Sequence, residues 1–203
     1  MSEYKFPTET VDLPSKGLIY PSDSPLRSGK VEMKYMTAKE EDILTNQAFI
    51  QQGVVLDKLL KALTLDKFNI KTLFPGDKNA LIVASRVLGY GKDYSFTTKD
   101  EDYTVDLSVL ENKTFDESLI TPDGTFKFTL PSSENEVEFK FLTELDEEKI
   151  AQEIEGLKKV NKNSSSEVTT RLKHQIVAIN GSSDKNDIRE FVDTMLLASD
   201  SRA

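Results

Sequence analysis

The chain has 203 residues, 37% of them hydrophobic and 30% charged, which is enough apolar mass for a folded core. It contains no cysteine and one histidine, His174. This composition excludes a disulfide scaffold, thiol catalysis and metal sites built from cysteine or several histidines. No apolar run approaches the roughly 20 residues that span a bilayer, and the N-terminus lacks the layout of a signal peptide. We therefore expect a cytoplasmic protein with no membrane partner.

The net charge of −9 is distributed unevenly along the chain. Residues 1–100 carry 14 basic and 13 acidic side chains, whereas residues 101–203 carry 12 basic and 22 acidic ones. This balance disfavours nucleic acid as a ligand, because phosphate binding needs a basic surface. The acidic half either serves solubility or meets a basic protein surface, and the sequence leaves both interpretations open.

Residues 1–28 are predicted to form an extended arm, because four prolines in this segment disfavour helix. Apolar residues are interleaved with the prolines, so the arm either packs on its own core or binds a partner. We assign it four candidate partner-binding residues: Leu13, Pro14, Gly17 and Tyr20. The prolines restrict the arm to extended forms, and Leu13 and Tyr20 are large enough to fill pockets.

Helices are predicted for most of residues 37–90, after one strand over 29–36 in which apolar and charged residues alternate. Thr37 followed by Glu40 is a capping-box pattern that begins a helix reaching to about Gln52. Further helices are expected over 54–64 and 77–88, and Gly89 and Gly91 suit the end of the latter.

Strands are predicted within residues 92–141, because apolar residues recur at every second position. The four alternating runs lie near 94–98, 103–107, 126–130 and 137–141. The last two runs are separated by a short polar turn and predict a hairpin.

Residues 143–200 are predicted to be helical again. A helix follows Thr143, a second runs from about 167 to Ile179 and ends at Asn180-Gly181, and a last one contains Ile188 and Phe191. A polar linker over 161–166 separates the first two. The fold class is therefore α+β, with the arm followed by one domain over 29–203. We find no internal repeat along the chain.

Four patterns were weighed as sites of catalysis or ligand binding. The glycines near Lys92 suit a helix end better than a phosphate loop, which needs a strand before it and a helix after it. The acidic residues between 93 and 106 lack calcium-loop spacing and suit a charged strand edge. His174, and the carboxylates of the helix after Thr143, suit exposed helix faces. We therefore predict no catalytic residue, no metal and no cofactor.

Several segments, taken in order, resemble one protein family over about 190 residues. They are LPSKGLIYP at 13–21, GKVEMKYMTAKEED at 29–42, SRVLGYGKDY at 85–94, YTVDLS at 103–108, DGTFKFTLP at 123–131, FLTELDEEKI at 141–150, VTTRLKHQIVAINGSSD at 168–184 and DSR at 200–202. In this order they resemble the T4-type bacteriophage baseplate hub assembly protein family. Each segment is short, so the order carries the resemblance.

The resemblance implies a late protein of a tailed phage that helps to build the baseplate hub in the cytoplasm of the infected bacterium. Its expected partners are other baseplate hub or tail proteins, with self-association left open. The first hypothesis for the function is a non-enzymatic assembly factor or chaperone that binds hub subunits. The alternatives are a permanent structural subunit of the virion baseplate or tail hub and, third, a hub-associated hydrolase.

Overall fold

A computed structural model describes residues 7–113, 116–160 and 166–202. The fold is α+β, as predicted, with helices and antiparallel strands in both halves of the chain. The chain divides into two compact units, Met1–Phe115 (unit 1) and Asp116–Ala203 (unit 2). This division replaces the predicted one, in which an arm over 1–28 preceded a single domain over 29–203. The predicted polar linker over 161–166 lies, up to residue 165, outside the described residues.

Unit 1 begins with a hairpin that the arm itself helps to form. Its elements in chain order are β1 (Thr8–Asp12), β2 (Lys30–Lys34), α1 (Ala38–Leu44), α2 (Gln47–Gln51), α3 (Val55–Leu63), α4 (Pro75–Tyr90), β3 (Asp93–Thr98) and β4 (Glu101–Asp106). Strands β1 and β2 are antiparallel with Val11 opposite Val31. Met33 of β2 also forms an isolated bridge with Thr64, directly after α3. Residues 8–12 of the arm are therefore a strand of unit 1, whereas turns and a 3-10 helix at Pro25–Ser28 follow, and residues 1–6 lie outside the described residues.

The capping box predicted at Thr37 is present and is joined by a lysine from the strand. The Glu40 carboxylate accepts the Thr37 N–H at 3.0 Å and the Thr37 hydroxyl at 2.6 Å. The Lys34 ammonium donates to it at 2.8 Å. Glu40 is 1% exposed, so its charge is compensated within the fold by a partner from the preceding strand. We call Lys34, Thr37 and Glu40 the first lock.

The predicted helix over 37–52 is divided in two. The Asn46 side chain accepts the Phe49 N–H at 3.2 Å and begins α2, while α1 ends at Leu44. Asparagine competes with helical hydrogen bonding in this way, and the apolar periodicity alone does not reveal it. Helix α4 begins two residues before the predicted start of 77, at Pro75, which suits a first helical position.

The core of unit 1 lies between the hairpin and helices α3 and α4. Its buried members are Leu13, Tyr20, Leu26, Val31, Met33, Leu59, Leu60, Leu63, Ile70, Leu73 and Leu81. Three of them come from residues 1–28, so the N-terminal segment is part of the hydrophobic core.

A buried carboxylate connects that segment to α4. Asp77, in the first turn of α4, accepts the Ser15 N–H at 2.9 Å and the Ser15 hydroxyl at 2.6 Å. The Tyr20 hydroxyl donates to the same carboxylate at 2.7 Å and accepts the Phe74 N–H at 3.2 Å. Burial, opposed by the Phe74 N–H and reinforced by Asp77, raises the pKa of Tyr20 well above 10, so the phenol stays a donor.

Unit 2 consists of a three-stranded antiparallel sheet with helices. Its elements are β5 (Phe126–Thr129), β6 (Glu136–Phe139), α5 (Glu144–Val160), α6 (Glu167–Gln175), β7 (Ile176–Ile179) and α7 (Lys185–Glu190). The strand order is β5-β6-β7, so the predicted hairpin is confirmed. A π-helical turn at Phe191–Met195 follows α7, and a 3-10 turn at Asp200–Arg202 comes last in the described residues. The predicted last helix is thus shorter than expected.

The predicted helix from 167 to 179 is wrong in its second half. Helix α6 ends at Gln175, and Ile176–Ile179 form β7, which pairs with β6. The spacing of Leu172, Ile176 and Ile179 also fits one face of a helix, which is the reason for the error. The run Ile-Val-Ala-Ile is rich in β-branched residues, and pairing with β6 decides in favour of a strand.

A separate hydrophobic core holds unit 2. Its buried residues are Leu130, Val137, Ile176, Ile179, Ile188, Phe191 and Val192. The Asp200 carboxylate, 4% exposed, accepts the N–H groups of Ser132 at 2.8 Å and of Ser133 at 3.0 Å. A buried aspartate therefore also connects the hairpin turn to the end of the described chain in this unit.

Asp77→Asn is expected to destabilise the protein by about 3 kcal/mol, because three donors would lose a buried charged acceptor. Urea unfolding followed by circular dichroism measures the change. Asp23→Asn removes an exposed carboxylate of the same segment and should stay within about 0.5 kcal/mol. Equal stability of the two variants would contradict the role given to Asp77.

Stability should also fall in acid through Glu40. Burial opposes ionisation, but hydrogen bonds from Lys34 and Thr37 outweigh it and lower the pKa from 4.5 to about 2. A lowered carboxyl pKa stabilises the fold fully above the unfolded value and loses that contribution as pH falls from about 4.5 to about 2. The difference in unfolding free energy between wild type and Glu40→Gln should therefore shrink from pH 7 to pH 2.5. A difference that is constant over this range would be evidence against the ion pair.

Candidate protein-binding surface

A two-stranded ribbon follows α4 and forms a sheet of its own in unit 1. Strands β3 and β4 pair antiparallel through all six residues, from Asp93 opposite Asp106 to Thr98 opposite Glu101. Lys99 and Asp100 connect them with φ values of 50° and 64°. Positive φ at both central residues is the geometry of a type I′ hairpin turn, which matches the twist of the strands. We call residues 93–106 the ribbon.

One face of the ribbon is aromatic and exposed. Tyr94, Phe96, Tyr103 and Val105 lie on it, with exposed fractions between 37% and 44%. The rings of Phe96 and Tyr103 are stacked across the strands at 5.7 Å between centroids, and those of Tyr94 and Phe96 are 5.9 Å apart. Large aromatic side chains grouped on an exposed surface are typical of protein-binding sites.

The opposite face of the ribbon is polar, and its side chains form hydrogen bonds with one another. The hydroxyls of Ser95 and Thr104 are 2.9 Å apart, and the Thr97 hydroxyl donates to Asp102 at 2.6 Å. The whole ribbon carries five carboxylates and one lysine, a net charge of −4. The ribbon thus presents aromatic rings on one side within an acidic surround.

The base of the ribbon is fixed to the end of α4. The Arg86 guanidinium lies 4.9 Å from the ring centroid of Tyr90 and 5.8 Å from that of Tyr94. The Lys92 ammonium bonds Asp106 at 2.6 Å. Hydrogen bonds from Lys92 and then Ser108 lower the pKa of Asp106 to about 2, so this carboxylate stays charged. The end of the ribbon nearest to α4 is therefore held in place by these contacts.

The sequence predicts both strands of the ribbon but does not predict that their aromatic face is exposed. The alternation of Tyr94, Phe96 and Thr98, and of Tyr103 and Val105, predicted strands, and that prediction is confirmed. Such alternation usually marks a face that a core covers. The clue to exposure was the acidic cluster, interpreted as a charged strand edge, which agrees with the exposed residues of both strands.

The four candidate partner-binding residues of the arm lie in or beside the core of unit 1. Leu13 and Tyr20 are each 2% exposed, Gly17 is buried and Pro14 is half-buried. The ring of Tyr20 packs on Phe74 at 5.0 Å between centroids. Of the two interpretations left open for the arm, packing on its own core is the one that the structure shows. The expectation that Leu13 and Tyr20 fill pockets on a partner is corrected accordingly.

Gly17 has a structural role that the sequence did not reveal. Its φ is +77°, and a Cβ added there would lie 2.4 Å from the Arg27 carbonyl oxygen and 2.6 Å from the Gly29 nitrogen. The Arg27 guanidinium also donates to the carbonyl oxygens of Leu18 and Tyr20. The turn containing Gly17 is therefore packed directly against the backbone of the segment before β2.

The residues weighed earlier as catalytic groups are engaged in local contacts within unit 2. His174 Nε2 lies 2.8 Å from Glu153 Oε2 on the neighbouring helix. Asp146 accepts from Lys140 at 3.0 Å, and Glu147 pairs with Arg171. These carboxylates stabilise helix α5 and its neighbours. Of the two glycines predicted to end α4, Gly91 is the residue at its end, with its N–H bonded to Val87 O at 2.9 Å, whereas Gly89 lies within the helix.

Among residues 7–113, 116–160 and 166–202, no group of three or more histidine, aspartate or glutamate side chains is arranged to hold a metal ion. In the same ranges, every helix is too short or too polar to traverse a bilayer. No protein-family model, curated protein or solved structure matches this chain.

Gly17→Ala should cost about 3 kcal/mol or more of unfolding free energy, since a left-handed φ is combined with a backbone clash. Gly53→Ala is the matched control, because Gly53 has φ +69° but nothing within 4 Å of an added Cβ. The control isolates the conformational cost, about 1 kcal/mol. If both variants lose the same unfolding free energy, the close approach of the backbone at Gly17 does not contribute to stability.

Proposed function

We propose that this chain is a non-enzymatic assembly factor of the baseplate hub of a T4-type tailed phage, acting in the cytoplasm of the infected bacterium. It binds a basic hub or tail protein through the ribbon. The ordered resemblance to the hub assembly family supports the biological setting. The observation that supports the mode of action is the exposed aromatic face of the ribbon, which is fixed to the end of α4 and offers a protein-binding surface.

The ribbon favours a protein ligand because its aromatic face supplies apolar contact area at low entropic cost. Phe96 and Tyr103 hold each other in place, so little side-chain freedom remains to be lost on binding. Among the described residues no third strand pairs with β3 or β4, so a partner strand can add by hydrogen bonding as well.

Charge indicates the class of partner. A net charge of −4 over fourteen residues attracts a basic surface and repels a second copy of the same ribbon. The acidic second half of the chain, which the sequence left open between solubility and basic partners, adds to this preference. The proposed partner is therefore a basic protein of the hub and not another copy of this chain.

The assembly role requires reversible binding. An assembly factor holds its partner until tighter contacts between hub subunits displace it, which mass action permits without a nucleotide. The ribbon has fourteen residues, fewer than the roughly 20 to 30 a side of a stable interface, which suits transient binding better than a permanent place in the particle. On this ground the assembly factor is preferred over the permanent structural subunit.

Phe96→Thr with Tyr103→Thr is expected to reduce recovery of the partner at least tenfold, because the central stacked pair is lost. The affinity-tagged full chain is expressed during infection by the phage that encodes it, and co-purified proteins are quantified by mass spectrometry. Ile50→Thr with Leu56→Thr is the control, since both are exposed apolar residues of unit 1 outside the ribbon. The control should bind like wild type.

A charge variant tests the class of partner. Asp100→Asn, Glu101→Gln and Asp102→Asn together neutralise the tip of the ribbon and should weaken binding several-fold. Asp23→Asn, Asp42→Asn and Glu111→Gln make the same change in charge at exposed positions outside the ribbon. A partner that is recovered equally with both triple variants, or that is itself acidic, would refute the electrostatic part of the proposal.

The same mass spectrometry separates the biological roles. Presence of the chain with hub proteins in assembly intermediates, and its absence from purified mature particles, is expected for an assembly factor. Stoichiometric recovery in mature particles would instead identify a structural subunit. Absence from both would refute the phage assembly role, whatever the ribbon binds.

A further inference from the structure

The two units share a sequence pattern at the junction between the second strand of each hairpin and the helix that follows. Residues 31–40 read VEMKYMTAKE and residues 137–146 read VEFKFLTELD. Four positions are identical, and the remaining apolar and acidic positions are mostly conservative exchanges. In both units the valine is buried, at 1% and 5% exposure. The triplet Leu-Pro-Ser also occurs in each unit, at 13–15 and 130–132.

The hairpins of the two units have the same register relative to these motifs. In unit 1, the residue two places before the Leu-Pro-Ser leucine, Val11, lies opposite Val31. In unit 2 the residue at the same place, Phe128, lies opposite Val137. A shift of one residue in either strand would destroy this agreement, because it would exchange the two faces of the strand.

The first lock of unit 1 has a counterpart in unit 2 at equivalent positions. Lys140 donates to Asp146 at 3.0 Å, and the Thr143 N–H donates to the same carboxylate at 3.1 Å. The corresponding distances to Glu40 are 2.8 and 3.0 Å. Asp146 is 8% exposed, so both units bury the acid and cover it with the lysine three residues before the threonine.

The two units also correspond in a later helix and in the residue that follows it. Helices α3 and α6 each have nine residues. The residue directly after each helix pairs with the second hairpin strand, Thr64 with Met33 and Ile176 with Phe139. Met33 and Phe139 occupy the same position of the shared pattern, two residues after its valine.

A buried aspartate completes the correspondence. Asp77 accepts the N–H of Ser15, and Asp200 accepts the N–H of Ser132. The two serines are the last residues of the Leu-Pro-Ser triplets, and the distances are 2.9 and 2.8 Å. Both aspartates are at most 4% exposed. Thus a residue far along the chain fixes the same turn in each unit.

We propose that the two units are tandem copies of one module, and that the ribbon is an addition to the first copy. The module consists of a hairpin with Leu-Pro-Ser after its first strand, the lysine-threonine-acid lock, a nine-residue helix with a strand residue after it, and the buried aspartate. A capping box alone is common and would recur by chance. Chance does not account for the shared register, the triplet and the aspartate in the same order.

The repeat escapes inspection of the sequence because its corresponding residues have four different offsets. The offset between copies is 117 residues at the triplet, 106 at the lock, 112 at the helix and 123 at the aspartate, as the different loop lengths require. Only the structure aligns these pieces. In the described part of unit 2 nothing corresponds to the ribbon, so the module does not need it for folding.

Exchange of the lock segment in the full chain tests the proposal. Residues 34–40 are changed from KYMTAKE to KFLTELD by Tyr35→Phe, Met36→Leu, Ala38→Glu, Lys39→Leu and Glu40→Asp. We expect a melting temperature within about 4 °C of wild type, since each new residue comes from the equivalent position of the module. A scrambled control carries the same five new residues at other positions, as Tyr35→Asp, Met36→Glu, Ala38→Leu, Lys39→Phe and Glu40→Leu. This control should have a melting temperature more than about 8 °C below that of wild type. Similar losses for exchange and control would overturn the proposal.

A second measurement applies if the exchanged chain fails to fold. Hydrogen exchange is followed in Asp77→Asn and in Asp200→Asn. Asp77→Asn should raise the exchange rate at Ser15 and in β1 and β2 at least tenfold, and Asp200→Asn should do the same at Ser132 and in β5 and β6. Protection lost at non-equivalent amides in the two variants would refute the shared module. The proposed partner plays no part in either measurement, so this inference stands or falls separately from the proposed function.

Discussion

The Asp77 carboxylate is the constraint on which unit 1 depends. A buried charge without compensation costs many kcal/mol, so the chain must bring donors to it from every side. Ser15 and Tyr20 supply them from the N-terminal segment, and Asp77 itself stands in the first turn of α4. Once this carboxylate is satisfied, Leu13 and Tyr20 are within the core, and the segment that looked like a free arm is part of the fold.

The Asp77 contacts also explain why the interface assigned to the arm was misplaced. Prolines and interleaved apolar residues predict an extended segment, but only Thr8–Asp12 is a strand, and turns and a 3-10 helix at Pro25–Ser28 follow it. The sequence contains no local signal that pairs Ser15 with a residue 62 positions away. Binding sites inferred from an apolar extended segment alone therefore remain open until its tertiary contacts are known.

Local signals predicted most of the elements, and long-range pairing decided the rest. The capping box at Thr37, the hairpin around Pro131 and the glycine end of α4 follow from neighbouring residues, and all three are confirmed. Strand β7 was read as helix because its apolar spacing fits both structures, and only β6 distinguishes them. The ribbon was located as strands, but nothing in its alternation indicates that no core covers it.

The residues that stabilise the fold and the residues of the proposed binding surface lie in different parts of the chain. The hydrophobic cores, the acidic residues Glu40 and Asp146, and the aspartates Asp77 and Asp200 stabilise the units and are buried. The ribbon contributes aromatic rings that these cores do not use. Changes to it are therefore expected to alter binding with little effect on folding, whereas changes to the aspartates do the reverse.

The unpaired edges of the ribbon have a consequence for the behaviour of the protein in concentrated solution. Open strand edges invite pairing between copies, and here the like charge of the ribbon opposes it. Dissolved salt shortens the range of that repulsion, to about 10 Å at 0.1 M and about 3 Å at 1 M ionic strength. The protein should consequently become more prone to self-association as ionic strength rises, the reverse of what salt does to its attraction for a basic partner.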